Sequence, residues 1–368
     1  MIRFLFALML LMHGLIHLMG FVKAFKLAEM SQLSSPISRP AGALWLLTAL
    51  LFVFSTALFF LKKESWWMPA IPAVVLSQFL VFQYWQDAKF GTIANLIAVV
   101  GLVLGYGAWN FNTRIQRELS SFLQVATPAE EVLTHDMLAG LPPVVQRWLE
   151  RSNTIGKPLA RSVHLRQKGE MRTAPGGKWM SMDAEQYFTI HQPGFFWTAD
   201  VEAAPYLHLT ARDKYQEGKG HMLIKFLSLF PVADARGPEI DQGTLLRYLA
   251  EIIWFPSAAL QPYLHWEPVD SLSARATMRY GEVEASGVFM FTPEGDMVSF
   301  DTRRYYDRKG GATLEKWHIQ AEPAGFRDFE DIRVPARSTV TWQLDTGDFT
   351  WLRLEITDLE YNKVALHP

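Results

Sequence analysis

His13 and His17 stand four residues apart in a stretch with no charged side chain, and they are the first residues that could do chemistry. On a helix an i,i+4 pair shares one face, which suits a metal or haem ligand pair. One haem needs axial ligands from opposite sides, and two histidines on one face cannot supply both. The next histidine is His135, and the later apolar stretches hold no Asp, Glu or Cys to complete a metal shell. The other reading is a pair of neutral imidazoles hydrogen-bonded across a bundle, with Ser77, Gln78 or Asn95 as partners. No metal and no cofactor is expected.

Three further groups carry charge at suggestive spacings. Arg247 and Glu251 are i,i+4 on an expected helix that also holds Asp241. They form either a surface ion pair worth a few tenths of a kcal/mol or, with Asp241, a latch fastening the helix to a sheet rim. Asp328, Glu330 and Asp331 cluster in a loop without the spacing of a calcium-binding loop. Asp301, Arg303 and Arg304 sit on strand faces, where cross-strand pairs are expected. There is no G-x-S-x-G, no H-E-x-x-H, no phosphate loop and no dinucleotide fingerprint. With no cysteine, thiolate chemistry is excluded. No catalytic residue is expected, and Asp241, Arg247 and Glu251 are the polar group an enzyme reading would use.

The elements that position these residues divide by solvent. Of 368 residues, 1–112 hold ten charged side chains, seven basic and three acidic, leaving 28 basic and 34 acidic residues beyond. Segments 4–22, 43–61, 66–85 and 91–109 contain no Asp, Glu, Lys or Arg. Each is near the ~20 residues that cross a ~30 Å hydrocarbon core, with Trp66, Trp67, Trp85 and Trp109 at the ends as interfacial anchors. Residues 1–112 are therefore expected to be a four-span transmembrane bundle, with the first segment a retained helix because its apolar run exceeds a signal-peptide core. Loop charges nearly balance and do not set the orientation. Gly101 and Gly105 form a small-xxx-small pair that lets another helix approach, which raises recruitment of a membrane partner or a homo-oligomer. The acidic balance of the rest disfavours nucleic acid, and 49% hydrophobic content excludes disorder.

Residues 113–160 read as a helical connector. Ile115, Leu119, Phe122 and Leu123 recur at helical spacing, Thr127-Pro128 opens a short helix, and Pro142-Pro143 opens another bearing Val145, Trp148 and Leu149. From 161 to 368 alternation predicts nine to eleven antiparallel strands, with one helix at about 238–255. The fold class is α+β, with a curved sheet, or half-barrel, covered by that helix. Such a half-barrel encloses an apolar hollow if the helix does not fill it. Phe195, Trp197, Phe289, Phe291, Trp342 and Leu344 are candidates to line it, and plain core packing is the equal alternative for these residues.

The run from His13 to Phe25, the segment Pro36–Gly42, Gly169-Glu170-Met171-Arg172, Ala184–Phe188 and Arg247–Glu251 with Phe255-Pro256 resemble an uncharacterised family of bacterial membrane proteins. The resemblance implies no activity. The second half is similar in plan to lipoprotein-localisation carriers, whose curved sheet and helix hold acyl chains; this likeness implies an extracytoplasmic sheet domain. The expectation is a non-enzymatic protein of the bacterial inner membrane, whose partners are the lipid bilayer and a lipid or other apolar molecule. A membrane-proximal enzyme and an assembly module are the alternatives.

Overall fold

The computed structural model describes residues 1–124 and 131–363. The chain divides into two compact units, Met1–Arg114 and Ile115–Pro368.

The first unit is helical: α1 (Ile2–Ala24), α2 (Arg39–Phe60), α3 (Trp67–Gln83), the single turn α4 (Trp85–Ala88) and the start of α5 (Gly91–Leu123). Four helices are long and apolar enough to cross a membrane: Ile2–Ala24, Arg39–Phe60, Glu64–Gln83 and Gly91–Leu123. A helix satisfies its own backbone donors, which hydrocarbon requires. The packing has the polarity of a membrane bundle. Large apolar side chains such as Phe4, Leu50, Phe54, Val75, Phe82, Leu96 and Val100 point outward. Small residues fill the inside, where Ala70, Ala73 and Ala98 pack with Leu10, Phe52 and Trp66.

His13 and His17 are buried in this interior. His13 Nε2 lies 2.9 Å from Asn95 Oδ1 and 3.1 Å from Ser77 Oγ, and His17 Nε2 lies 3.0 Å from the same hydroxyl. His17 Nδ1 reaches the His13 carbonyl oxygen at 2.8 Å. Gln78 joins one step further out, accepting from Asn95 Nδ2 at 3.0 Å. These bonds tie α1 to α3 and α5 inside an otherwise apolar interior.

The small-residue pair has a different use from the one expected. Gly101 faces the Phe6 ring of α1, and Gly105 faces Trp66 at the entrance to α3. Both therefore pack within the bundle and are not free to receive a partner, because an aromatic side chain of the same chain occupies the groove each glycine opens. A side chain at 101 would have to displace the Phe6 ring. Gly101→Leu is expected to cost about 1–3 kcal/mol by overpacking, read as a lower thermal midpoint of the detergent-extracted protein; an unchanged midpoint would show that Phe6 is free to move.

The second unit opens with the last turns of α5 and with α6 (Pro143–Arg151). Ile115, Leu119, Phe122 and Leu123 are all buried, with the Phe122 ring 6.1 Å from that of Phe196. The short helix expected at Thr127-Pro128 lies outside the described residues. Next come β1 (Ser162–Met171), β2 (Met180–Thr189), β3 (Gly194–Ala204), β4 (Leu207–Gln216), β5 (Lys219–Phe226) and β6 (Phe230–Ala235). Then α7 (Pro238–Glu251) passes into a 3-10 turn, Ile252–Trp254. After it follow β7 (Leu264–Pro268), β8 (Ser273–Tyr280), β9 (Val283–Phe291), β10 (Met297–Tyr306) and β11 (Thr313–Ala321). The hairpin β12 (Phe326–Phe329) and β13 (Ile332–Pro335) stands apart, before β14 (Arg337–Leu344) and β15 (Gly347–Tyr361).

Thirteen strands form one antiparallel sheet in the order β6-β5-β4-β3-β2-β1-β15-β14-β11-β10-β9-β8-β7. The fifteen strands among the described residues exceed the nine to eleven expected, because strands such as β4 bury residues of both faces and lose clear alternation. The edges β6 and β7 are consecutive in the chain, joined only through α7 and the 3-10 turns after it. That helix touches β4 and β5 on one side and β8, β9 and β10 on the other. One helix can meet both halves only if the sheet curls around it, which makes the half-barrel. The class is α+β, as expected.

Under α6 and α7 the concave face is solid. Trp148 of α6 packs 6.4 Å from Phe289 and 5.7 Å from Phe291, and Phe255 lies 4.7 Å from Phe188. Arg151 of α6 and Arg333 of β13 both donate to the Asp296 carboxylate, at 2.9–3.2 Å. Burial alone would raise the Asp296 pKa, but these two guanidiniums hold it below the usual carboxylate range.

Candidate functional site: an apolar hollow with a charged corner

Part of the concave face is not filled. A cavity of about 310 Å³ lies between the helix and the sheet, walled by β1 to β6 on one side and β10, β11, β14 and β15 on the other. Four methionines line it, Met171, Met180, Met182 and Met222, with Val201, Leu209, Ile224, Val340, Leu352 and Leu354. Methionine is unbranched and polarizable, so such a wall can conform to a flexible apolar guest. Val232 of edge strand β6 both lines the cavity and is 60% exposed.

Only one of the six expected lining residues is there. Trp197 lines the hollow, its Nε1 donating to Gln167 Oε1 at 3.0 Å. Phe195 is on the same strand face two residues earlier, where it is fully buried with its ring 6.4 Å from that of Tyr215. Phe289 and Phe291 lie under α6, Trp342 packs on Tyr306 and Trp317, and Leu344 packs against the same core. For these five, core packing is the outcome. Alternation selects the face of a strand, but it does not say where along that face the covering helix stops.

A polar corner closes the hollow at α7. Arg247 donates from Nε to Glu251 Oε1 at 2.8 Å, from Nη1 to Asp213 Oδ2 of β4 at 3.0 Å, and from Nη2 to Gln186 Oε1 of β2 at 3.4 Å. Gln186 Nε2 donates to Glu251 Oε2 at 2.8 Å. The guanidinium also sits over the rings of Phe195 and Trp197, at 4.8 and 4.9 Å. The Arg247 and Glu251 side chains are only 15% and 10% exposed, so the surface ion pair is ruled out. Asp241 works separately, accepting from the Gly220 amide at 2.7 Å and from Lys219 Nζ at 3.0 Å. It holds the first turn of α7 on β5, where Gly220 lets Ile240 and Thr244 come close.

Two further charges belong to the corner: Asp213, which the sequence reading does not single out, and Arg304, which it expects only in a cross-strand pair. Burial pushes the Asp213 and Glu251 carboxyls above their usual range, and Arg247 offsets this only in part. Burial lowers Arg304 to about 10, with the Arg247 charge acting the same way. Asp213 Oδ1 has no hydrogen-bond partner among the described residues. Nothing in the alternation of either strand marks these residues, since a charge facing a cavity reads like a charge facing water.

The other clusters are structural. Asp301 meets its register partner His318 at 2.7 Å, while among the described residues Arg304 forms no cross-strand ion pair and lines the hollow instead. Glu330 and Asp331 form the two-residue turn between β12 and β13, both with positive φ. Asp331 pairs with Lys157 at 3.1 Å and Glu330 with Lys363.

Comparison with known proteins adds a family and a distant likeness in fold. No curated relative matches the chain. A DUF1329 family protein from Desulfovibrio piger superposes with a TM-score of 0.34 at 11% identity, over 61% of this chain and 92% of that one. A domain from Vibrio parahaemolyticus assigned to outer membrane lipoprotein sorting gives 0.32 at 10% identity, over 61% and 93%. A family model matches residues 131–354, more than half of the chain, and the chain belongs to that family of unknown function, DUF6544.

Proposed function

We propose that the sheet unit is a binding module that holds the acyl chain of a lipid or similar amphiphile in its hollow, within a protein tethered to a membrane by the N-terminal helices. The observation that carries this reading is the cavity itself. Native interiors are close-packed, and a cavity costs stability in proportion to its volume. A volume of about 310 Å³ walled mostly by apolar side chains therefore fits a site shaped for a guest. Residence in the bacterial inner membrane, with the sheet unit outside the cytoplasm, belongs to the same reading; protease accessibility in spheroplasts checks it.

The direct test is native mass spectrometry of the detergent-extracted full chain, followed by organic extraction. A stoichiometric amphiphile is expected. A protein that carries none, and takes up no hexadecanoate or hexadecanol when these are supplied, would sink the reading.

The charged corner favours a second reading, an enzyme acting on the guest. Two carboxylates of raised pKa beside an apolar pocket are a feature of catalytic sites as well as of structural ion pairs. Turnover of a supplied lipid ester that is lost in Glu251→Gln, with binding retained, distinguishes it.

A further inference from the structure

We propose that Arg304 is the anchor for an anionic head, a carboxylate or phosphate, on the amphiphile whose chain occupies the hollow. The inference rests on the binding reading above and gives it a ligand class. Four charged side chains line the hollow: Asp213, Arg247, Glu251 and Arg304. Arg247 is committed, bonded to both carboxylates and to Gln186. Arg304 is not. Among the described residues no acceptor lies within hydrogen-bond range of its guanidinium and no carboxylate within 4 Å.

Its surroundings explain why. The carboxylate of its register partner, Glu315, is taken by Arg308 at 2.7 Å and by Thr313 at 2.9 Å. The guanidinium rests on the Trp317 ring at 4.9 Å and beside Gly243 of α7. Trp317 lines the hollow too. A ring face orients a guanidinium without consuming its donors, of which Arg has five in a fork matched to carboxylate and phosphate oxygens. Arg304 is half-buried, and donors partly withdrawn from water without a protein acceptor favour an anionic partner, which such a head would supply. Methionines on β1, β2 and β5 then offer the chain its apolar bed.

The test uses the delipidated full chain in nanodiscs of phosphatidylcholine, with three probes of one chain length: hexadecanoate, hexadecyl phosphate and hexadecanol. The wild type is expected to bind at least one of the two anions ten or more times tighter than the alcohol, and the tighter anion identifies the head. Arg304→Gln is expected to abolish that preference while hexadecanol binding stays within twofold. Sodium acetate and inorganic phosphate are expected not to compete at millimolar concentration, since neither brings a chain. Equal binding of all three probes by the wild type would overturn the anchor and leave the apolar pocket standing, and this measurement needs no variant to fold. A preference that survives in Arg304→Gln would also overturn it. Failure of all three probes to bind would remove the binding reading itself.

Discussion

Ala211→Trp is expected to empty the protein of its guest without unfolding it. Ala211 is a buried residue of β4 whose side chain faces the hollow between Leu209 and Asp213. Across the strand pair stands Ala199, too small to oppose an indole. On the other side stands Ile224, which lines the same hollow, so the added ring grows past it into the cavity. Filling a cavity commonly adds about 0.5–2 kcal/mol, so the thermal midpoint of delipidated protein should hold or rise. Binding should fall at least tenfold, because the ring and an acyl chain need the same volume. The two readouts move in opposite directions, which separates occlusion from damage. Amphiphile recovered from the variant at the wild-type stoichiometry, with the midpoint unchanged, would mean that the guest binds elsewhere.

The plan of the molecule could be read from charge and alternation, and its site only in part. Ten charges in 112 residues set the helices apart from the sheet, because lipid and water select different compositions. His13 and His17 drew attention to Ser77 and Asn95, the groups that bond them, since few polar residues in those stretches could answer an imidazole. Distance along a strand was hidden. Phe195 and Trp197 alternate together, yet one is core and the other is wall.

Strand β15 shows a second kind of concealment. Its sequence is apolar at Phe349 and Trp351 and again at Leu352 and Leu354, as if both faces were buried. The pairing with β14 steps from Leu352 opposite Val340 to Thr350 opposite Thr341, leaving Trp351 as the extra residue of a bulge. A bulge shifts the alternation by one, so Trp351, Leu352 and Leu354 all line the hollow. Period-two reasoning assigns them to opposite faces. Arg304 was hidden by chemistry: a guanidinium facing a cavity and one facing solvent occupy the same place in an alternating strand.

Arg247→Met should be the most damaging single change in the sheet unit, and the damage should depend on pH. The substitution keeps much of the aliphatic stem but removes the one donor that, among the described residues, Asp213 and Glu251 share. Breaking a buried ion pair by deleting one partner costs about 3–5 kcal/mol, because the remaining charge stays desolvated. Here one cation leaves two carboxylates. Both are already raised by burial in the wild type, against the pull of Arg247. Without it they rise further. A carboxyl whose pKa is higher folded than unfolded takes up a proton on folding, so stability falls as pH climbs from the unfolded value, about 4, through the folded one. Arg247→Met should therefore lose far more of its denaturation midpoint at pH 8 than at pH 5. The wild type should show the same slope in weaker form. Adding Asp213→Asn and Glu251→Gln to the variant removes the charges that cause the loss, and should restore most of the midpoint at pH 8. A deficit of equal size at both pH values, untouched by the neutral pair, would mean that Arg247 acts through its stacking on Phe195 and Trp197 instead of through its charge.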